Sequence, residues 1–475
     1  MKIFRSYDIR GEYPKDINDE AAYKIGRCVV KLLNAKNLVI GTDVSLKSPH
    51  IRENIIRGVT DSGVNVFDIG LAGTDVVYFS GGHYKFDSGI EVTASHSAGH
   101  LSGLKIIGPA ATPFGKGLGM EQLEEMYNNY KEEPKAEKIG EVSEKYVWDD
   151  FVKESLKFID LKKINPLKIV VDASNAVGGI EIDKIEEYLP VEFIKINWEL
   201  DGNYPNHAPN PFLPANREQA IAKVRETKAD MGLIFDGDGD RVYFIDENGD
   251  YIYGVYIGGL IAQKMLEGNP GRVILHDVRG ANYVKEVAKK MGGIAKIELV
   301  GHTFFKNRMR KENALFGVES SGHIYYNFGD FMVENSLIAV LQIIQIISES
   351  GKTLGELTRE PRRLYPTSGE YNFSLPGFKE SDDLTEEALA VMNNILGEIE
   401  KKYEKGNISH FDTLSIDFPD WRFNLRPSAN DPLLRFTMEA NSIQKVKEKT
   451  REITDLLISL GCNLVNESGV KQLEN

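Results

Sequence analysis

The sequence predicts an α/β protein: three homologous mixed α/β domains built on strand-helix-strand units, plus a smaller C-terminal α+β domain, arranged around a central cleft. Three observations predict it. Short apolar strands end at an aspartate in Asn37 to Asp43, Leu167 to Asp172 and Arg272 to Asp277, each followed by a polar loop, a helical pattern and a second apolar strand. Each unit then continues into two strands joined by a polar, glycine-bearing loop: SGIEV-TASHSAGHLSG-LKII, MGLIF-DGDGDR-VYFI and ALFG-VESSGH-IYY. From about Tyr371 the chain changes character, and strand-like runs (Tyr371 to Leu375, Leu433 to Glu439) frame amphipathic helical patterns (Leu384 to Tyr403, Ser442 to Leu460). The expected division is 1–147, 148–252, 253–368 and 369–475, with Lys131 to Glu141 a solvated connector. A hinge is expected at Pro361 to Ser368, because two prolines resist continuing either neighbour.

Composition sets the boundaries of function. A chain of 475 residues is too long for one core, since domains run to roughly 100–200 residues. The net charge of -14 repels nucleic acid and anionic membranes over most of the surface, so phosphate recognition must be local. Cys28 and Cys462 are the only cysteines and lie far apart, which argues against a disulfide framework or a thiolate cluster and for a reducing, cytoplasmic compartment. The N-terminal MKIFRSYDIRGEY lacks the apolar core of a signal peptide. The longest apolar stretch, Leu337 to Ile347, carries Gln342 and Gln345 and reads as a buried helix.

Each repeat's loop carries different chemistry. The first, Thr93 to Lys105 (TASHSAGHLSGLK), has no nucleophile elbow around Ser95, so taken alone it is an ordinary hairpin loop, expected to be exposed. The second packs Asp236, Asp238 and Asp240 into one turn, with glycines between them and Arg241 after. Carboxylates this close repel unless a cation bridges them. A structural calcium loop would match Asp at positions 1, 3 and 5 and Glu247 at 12, but Arg241 stands where that loop needs glycine and the flanks read as strands. A hard divalent ion beside an anionic substrate is the better reading. The third loop is Glu319-Ser-Ser-Gly-His323. Three loops this rich in Ser, His, Asp and Glu point to one shared cleft.

Together the motifs resemble the α-D-phosphohexomutase family over the whole chain. Phe4 to Gly11, with Tyr7 and Arg10, is similar to that family's N-terminal FRxYDIRG, and TASHSAGHLSGLK to its serine loop TASHNP followed by NG and a Lys. Asp201 to Pro211 resembles its DGxFPNHxPNP segment, Phe235 to Arg241 its metal loop, and Glu319, Ser321, Gly322 and His323 its sugar loop GExSGH. Arg426-Pro-Ser-Ala-Asn-Asp-Pro432 followed by Arg435 resembles the phosphate loop RPSNTEPxxR. The motif set is most like phosphomannomutase/phosphoglucomutase. There are departures: Ser97 and Ala98 replace Asn-Pro, Ser102 replaces Asn, Thr42 and Ser45 stand where arginines are usual, and Ala429-Asn430 replace the Asn/Gly-Thr pair.

The resemblance implies an isomerase that moves phosphate between C1 and C6 of a hexose, mannose or glucose, by way of phosphoserine at Ser95 and a hexose 1,6-bisphosphate that also serves as activator. It implies Mg2+ held by Asp236, Asp238, Asp240 and a phosphoryl oxygen on Ser95. Arg10, Lys105 and His323 are the candidates for proton transfer. Substrate contacts fall to Tyr7, Arg241, Arg279, His302, Glu319 and Ser321, and the distal phosphate to Arg426, Ser428, Asn430 and Arg435. Glu319 and Ser321 would hold O3 and O4, which exchange places when the sugar flips, so this loop does not read C2. The expected assembly is a monomer or homodimer. Phosphoglucosamine mutase is the main alternative. A magnesium-dependent sugar phosphatase and a non-catalytic sugar-phosphate-binding protein are the rival classes, separated by release of inorganic phosphate and by phosphoserine at Ser95.

Overall fold

In the computed structural model, which describes residues 3–97, 101–380, 382, 384–428 and 431–468, each repeat is built on a strand flanked by parallel partners on both sides. These central strands are Asn37–Thr42, Leu167–Asp172 and Val273–His276. The first lies between Asn65–Leu71 and Ser88–Val92, the second between Val191–Ile196 and Met231–Phe235, and the third between Ile294–Ile297 and Phe316–Val318. Runs of Val, Ile and Leu suit strands buried on both faces.

In each repeat the later partner turns back into an antiparallel strand: Leu101–Gly108, Val242–Asp246 and Ile324–Asn327. The three polar loops of the sequence are the turns between these pairs, at one end of each sheet. Ile9–Glu12 adds to the first sheet beside Leu101–Gly108, with Arg10 opposite Gly103. A Cβ on Gly103 would lie 2.3 Å from the Ile9 carbonyl oxygen, so only glycine lets the two strands meet. The fourth sheet has the order Asn407–Ser409, Leu414–Asp417, Trp421–Pro427, Leu433–Ala440, Thr367–Ser374, Asn463–Glu467.

The apolar run read as a buried helix is Ser336–Ser350, whose N-cap Asn335 accepts from Ile338 N–H and whose C-cap is Gly351 at φ 64°. Among the described residues no single helix is long and apolar enough to cross a membrane. One continuous core runs through the first three sheets, from Val39 through Ile169 and Ile274 to Leu354, the first repeat closes a second one around Ile25, Ile55 and Ile90, and the fourth unit closes its own around Phe373, Ile399, Phe423 and Leu457.

The expected hinge is shorter than the sequence suggested. Pro361 lies inside the helix Leu354–Leu364 and its carbonyl accepts from Tyr365 N–H. Only Tyr365 and Pro366 separate that helix from Thr367–Ser374. Proline removes the hydrogen bond its nitrogen would donate and crowds the carbonyl of Leu357, and this helix runs through both costs with Leu354, Thr358 and Arg362 buried along one face.

Candidate functional site

Each loop is held by a residue that follows closely on the strand opening its repeat. Asp43 accepts from Thr93 Oγ1 at 2.9 Å and from Ala94 N at 2.8 Å, fixing the serine loop fifty residues downstream. Asp277 does the same for the sugar loop, accepting from Ser320 N at 2.8 Å and Ser320 Oγ at 3.0 Å. In the second repeat Asp172 turns instead to His207 and Asn197, and Ser174 Oγ donates to the Phe235 carbonyl at 2.6 Å, where the acidic loop begins.

Contrary to expectation, Ser95 is not exposed: its relative accessibility is 4%. Its backbone sits at φ 53°, a left-handed conformation rare for a residue with a side chain. The Ser95 carbonyl packs so closely on the acidic loop that a Cβ at Gly237 would be 2.2 Å from it. Glycine at 237 therefore permits contact between the serine and acidic loops.

Oxygens of Asp236, Asp238 and Asp240 lie within 4.8 Å of one another, and all three residues are buried. Lys105 Nζ reaches Asp238 Oδ2 at 2.6 Å and Asp240 Oδ2 at 2.5 Å, while Arg241 Nη2 meets Asp236 Oδ2 at 2.5 Å. Asp238 Oδ1 is buried without a hydrogen-bond partner among the described residues. An all-carboxylate donor set with an orphaned oxygen, and with an ammonium bridging two of its members, fits a hard divalent cation.

Thr74 braces this loop from the first repeat: its Oγ1 donates to Asp238 Oδ2 at 2.7 Å and its N–H to the Asp238 carbonyl at 3.0 Å. From the third repeat Ser336 Oγ donates to the Gly239 carbonyl. Sequence reasoning passed over both residues, since neither stands in a charged run.

Glu319 is saturated with donors. Gly301 N–H reaches its Oε1 at 2.8 Å, and Tyr325 Oη and His323 Nδ1 reach Oε2 at 2.5 and 2.9 Å. Burial would raise its carboxyl, but His323, Arg279 and Tyr325 outweigh that and hold it at about 2. The other ring nitrogen of His323 lies 3.3 Å from Asp240 Oδ1, so this imidazole joins the sugar loop to the acidic loop. Burial lowers its pKa, yet Asp240 and then Glu319 raise it to about 9. His302 differs, because burial and then Lys306 push it well below the usual histidine range.

The remaining candidates converge on the same place. Arg10 donates to Ser97 Oγ at 3.1 Å and to Asp8 at 2.7 Å, tying the N-terminal motif to the serine loop. Tyr7 Oη donates to the Val300 carbonyl at 2.9 Å. Arg279 is already engaged by Asp277 and reaches Ser321 Oγ at 3.2 Å. Arg435 Nη2 donates to Ser428 Oγ at 3.2 Å. Asn430 lies outside the described residues.

A cavity of about 340 Å³ gathers Tyr7, Arg10, Ser95 and Lys105 with Arg241, Arg279 and His302. The same cavity is lined by Glu319, Ser321, His323, Arg426, Ser428 and Arg435. All three repeats and the C-terminal unit thus contribute to one cleft, with the acidic turn beside it.

Comparison with known proteins agrees with this geometry. Residues 1–134, 147–249 and 248–365 match the models of phosphoglucomutase/phosphomannomutase alpha/beta/alpha domains I, II and III in turn. A phosphomannomutase of Vibrio cholerae is 36% identical over 97% of this chain and 99% of its own length. A Xanthomonas campestris protein described as phosphohexose mutases is 36% identical over 96% of this chain and 99% of its own. The crystal structure of a phosphoglucomutase/phosphomannomutase family protein from Burkholderia thailandensis superposes with a TM-score of 0.84 at 25% identity, covering 98% of this chain and 99% of that one. With three family domains in order, relatives matched from end to end, and the serine, acidic, sugar and arginine loops meeting in one cleft, the chain belongs to the phosphoglucomutase/phosphomannomutase family.

Proposed function

We propose that this phosphohexomutase interconverts the 1- and 6-phosphates of both glucose and mannose, cycling through phosphoserine at Ser95 and a hexose 1,6-bisphosphate. The observation that carries the reading is the single cleft in which a strained, buried serine meets an acidic triad, and a sugar loop meets an arginine pair. The breadth toward both sugars is supported by the likeness of Glu319 and Ser321 to the family's sugar loop, which we take to bind hydroxyls shared by glucose and mannose, and by the kinship with the Xanthomonas phosphohexose mutases.

In the proposed cycle the phosphoryl group leaves Ser95 Oγ for the free hydroxyl of the sugar monophosphate. The bisphosphate turns end over end, and the other phosphoryl returns to Ser95. Each transfer breaks one P–O bond and forms one, and the hydroxyl proton passes to the serine oxygen by way of Arg10, Lys105 or His323. Arg241 and Lys105 steady the equatorial oxygens during a loose in-line transfer, where positioning and charge stabilisation dominate. Asp236, Asp238 and Asp240 are proposed to hold Mg2+, which would withdraw charge from the phosphoryl oxygens as the serine oxygen leaves. Arg426, Arg435 and Ser428 grip whichever phosphate is not reacting. Free hexose 1,6-bisphosphate is the proposed activator, because it can restore phosphoserine to a dephosphorylated enzyme. Two buried free thiols suit a reducing compartment, which we take to be the cytoplasm.

The test is a coupled assay on glucose 1-phosphate and mannose 1-phosphate with trace bisphosphate, together with an intact mass of the resting enzyme. Both 6-phosphates should form, and Ser95→Ala should abolish turnover while the protein stays folded. Interconversion that persists in Ser95→Ala, or wild type that releases only inorganic phosphate, would overturn the reading.

A further inference from the structure

Arg426 and Arg435 face each other directly across the strands Trp421–Pro427 and Leu433–Ala440. Like charges directly opposite in an antiparallel pair destabilise it, so this arrangement needs a counter-charge. The next strand, Thr367–Ser374, supplies one in Glu370, which stands opposite Thr437, two residues along from Arg435. Glu370 is fully buried. Its Oε2 accepts from Arg426 Nη2 at 2.8 Å and from Arg279 Nη1 at 3.3 Å, and its Oε1 from Arg435 Nη1 at 3.2 Å. Burial pushes its carboxyl up, but Arg426, Arg435 and Arg279 hold it at about 2, so it stays ionised.

The third guanidinium comes from outside the C-terminal unit. Arg279 precedes the helix Ala281–Lys290 of the third repeat, and its Nη2 reaches Ser321 Oγ at 3.2 Å and lies 3.7 Å from Glu319. Asp277 neutralises it from the other side. The positive charge left over therefore resides on Arg426 and Arg435, where a phosphate dianion can use it.

We propose that Glu370 is a positioning residue of the phosphate grip: one buried carboxylate holds Arg426 and Arg435 side by side and, through Arg279, sets their distance from the sugar loop. The inference rests on the reading of Arg426 and Arg435 as the clamp for the non-reacting phosphate of a hexose monophosphate. Buried carboxylates persist where every lone pair finds a donor, and here the donors are the binding groups themselves. A carboxylate that served merely as a counter-ion would need only one of these arginines, whereas three converging on its two oxygens fix both spacing and orientation.

The experiment compares wild type, Glu370→Asp, Glu370→Gln, Arg426→Ala and the Glu370→Asp/Arg426→Ala double variant in steady-state kinetics on glucose 1-phosphate, with thermal unfolding followed alongside. Glu370→Asp keeps the charge but withdraws it by one methylene, so it should melt cooperatively, raise KM about tenfold and change kcat less. Glu370→Gln should raise KM further. The losses in the double variant should combine to clearly less than their product, because the carboxylate acts through the guanidinium. A lowered melting temperature with unchanged KM, or losses that multiply, overturns the proposal. If neither Glu370 variant folds, Arg279→Lys, alone and with Arg426→Ala, replaces them under the same criteria. Wild-type turnover is the control: without it the mutase reading itself fails, whereas wild-type turnover with indifferent variants removes only the role of Glu370.

Discussion

A serine at φ 53° with 4% of its surface accessible is held against its own preference, at a cost on the order of 1 kcal/mol or more. The surroundings that enforce it are Asp43, Thr93 and the glycine at 237. Thr74 plays a comparable part for the acidic loop, since its hydroxyl orients Asp238 Oδ2. Thr74→Val keeps the shape and deletes that donor, so magnesium affinity should fall by roughly 10–100-fold, as for other partners of metal ligands. A calorimetric titration of the folded variant checks this, and unaltered affinity would deny Thr74 the role. Glu370 yields a pH dependence with a definite sign. Its folded pKa is depressed from 4.5 to about 2, so its stabilisation is complete above the ordinary value and is lost as pH falls through that window. In urea unfolding, wild type should exceed Glu370→Gln at pH 7, and the gap should narrow toward acid. A gap independent of pH would contradict the assignment.

At the scale of the element, the loops were legible in the sequence because their chemistry is written in short runs. Asp236 to Arg241 and Glu319 to His323 name themselves, and strands rich in Val and Ile on either side fix their setting. Thr74, Ser336 and Glu370 were not legible, since each acts on residues far away in sequence and none has a local pattern. Burial of Ser95 was missed for the same reason: it depends on a glycine 142 residues later. The hinge was misplaced because a proline inside a helix looks, in sequence, like the end of one. Gly237→Ala tests how closely the loops must approach. The added methyl would lie 2.2 Å from the Ser95 carbonyl, and separating the loops should cost about 1–3 kcal/mol of stability and most of the phosphoryl transfer. Urea titration and the coupled assay read the two effects separately. Full activity would show that the contact is dispensable.

Across the whole molecule, apolar packing divides the chain unequally. A core continuous through the first three sheets ties them together, although the first repeat also keeps a cluster of its own around Ile25, Ile55 and Ile90, while the C-terminal unit shares no core with the rest and joins it through polar contacts. Arg422 donates to the Val278 carbonyl at 2.7 Å, Glu439 accepts from Ala281 N at 3.0 Å, and Arg217 donates to the Ser468 carbonyl at 2.8 Å. Interfaces of this kind let a unit move or melt by itself. Scanning calorimetry should therefore resolve a separate transition for the C-terminal unit, and saturating glucose 1-phosphate, if it bridges the cleft as proposed, should draw the two transitions together. One coincident transition in the absence of sugar phosphate would mean that the polar seam is as cohesive as the core.

The aspartate that closes each opening strand bears on how three loops could come to differ. Asp43 and Asp277 grip the backbone or the first hydroxyl of their loops, at Ala94 and Ser320, and leave the reactive side chains untouched. A bracket of that sort constrains where a loop starts and says nothing about what it carries. After a triplication, each copy could exchange serine chemistry for sugar recognition without the sheet having to be redesigned around it. The second copy differs: there Asp172 binds His207 and Asn197, and a neighbouring hydroxyl, Ser174, holds the Phe235 carbonyl. Placement of the loops in this chain thus rests on two aspartates, Asp43 and Asp277, and on the Ser174 hydroxyl, while their chemistry rests on the loop residues themselves.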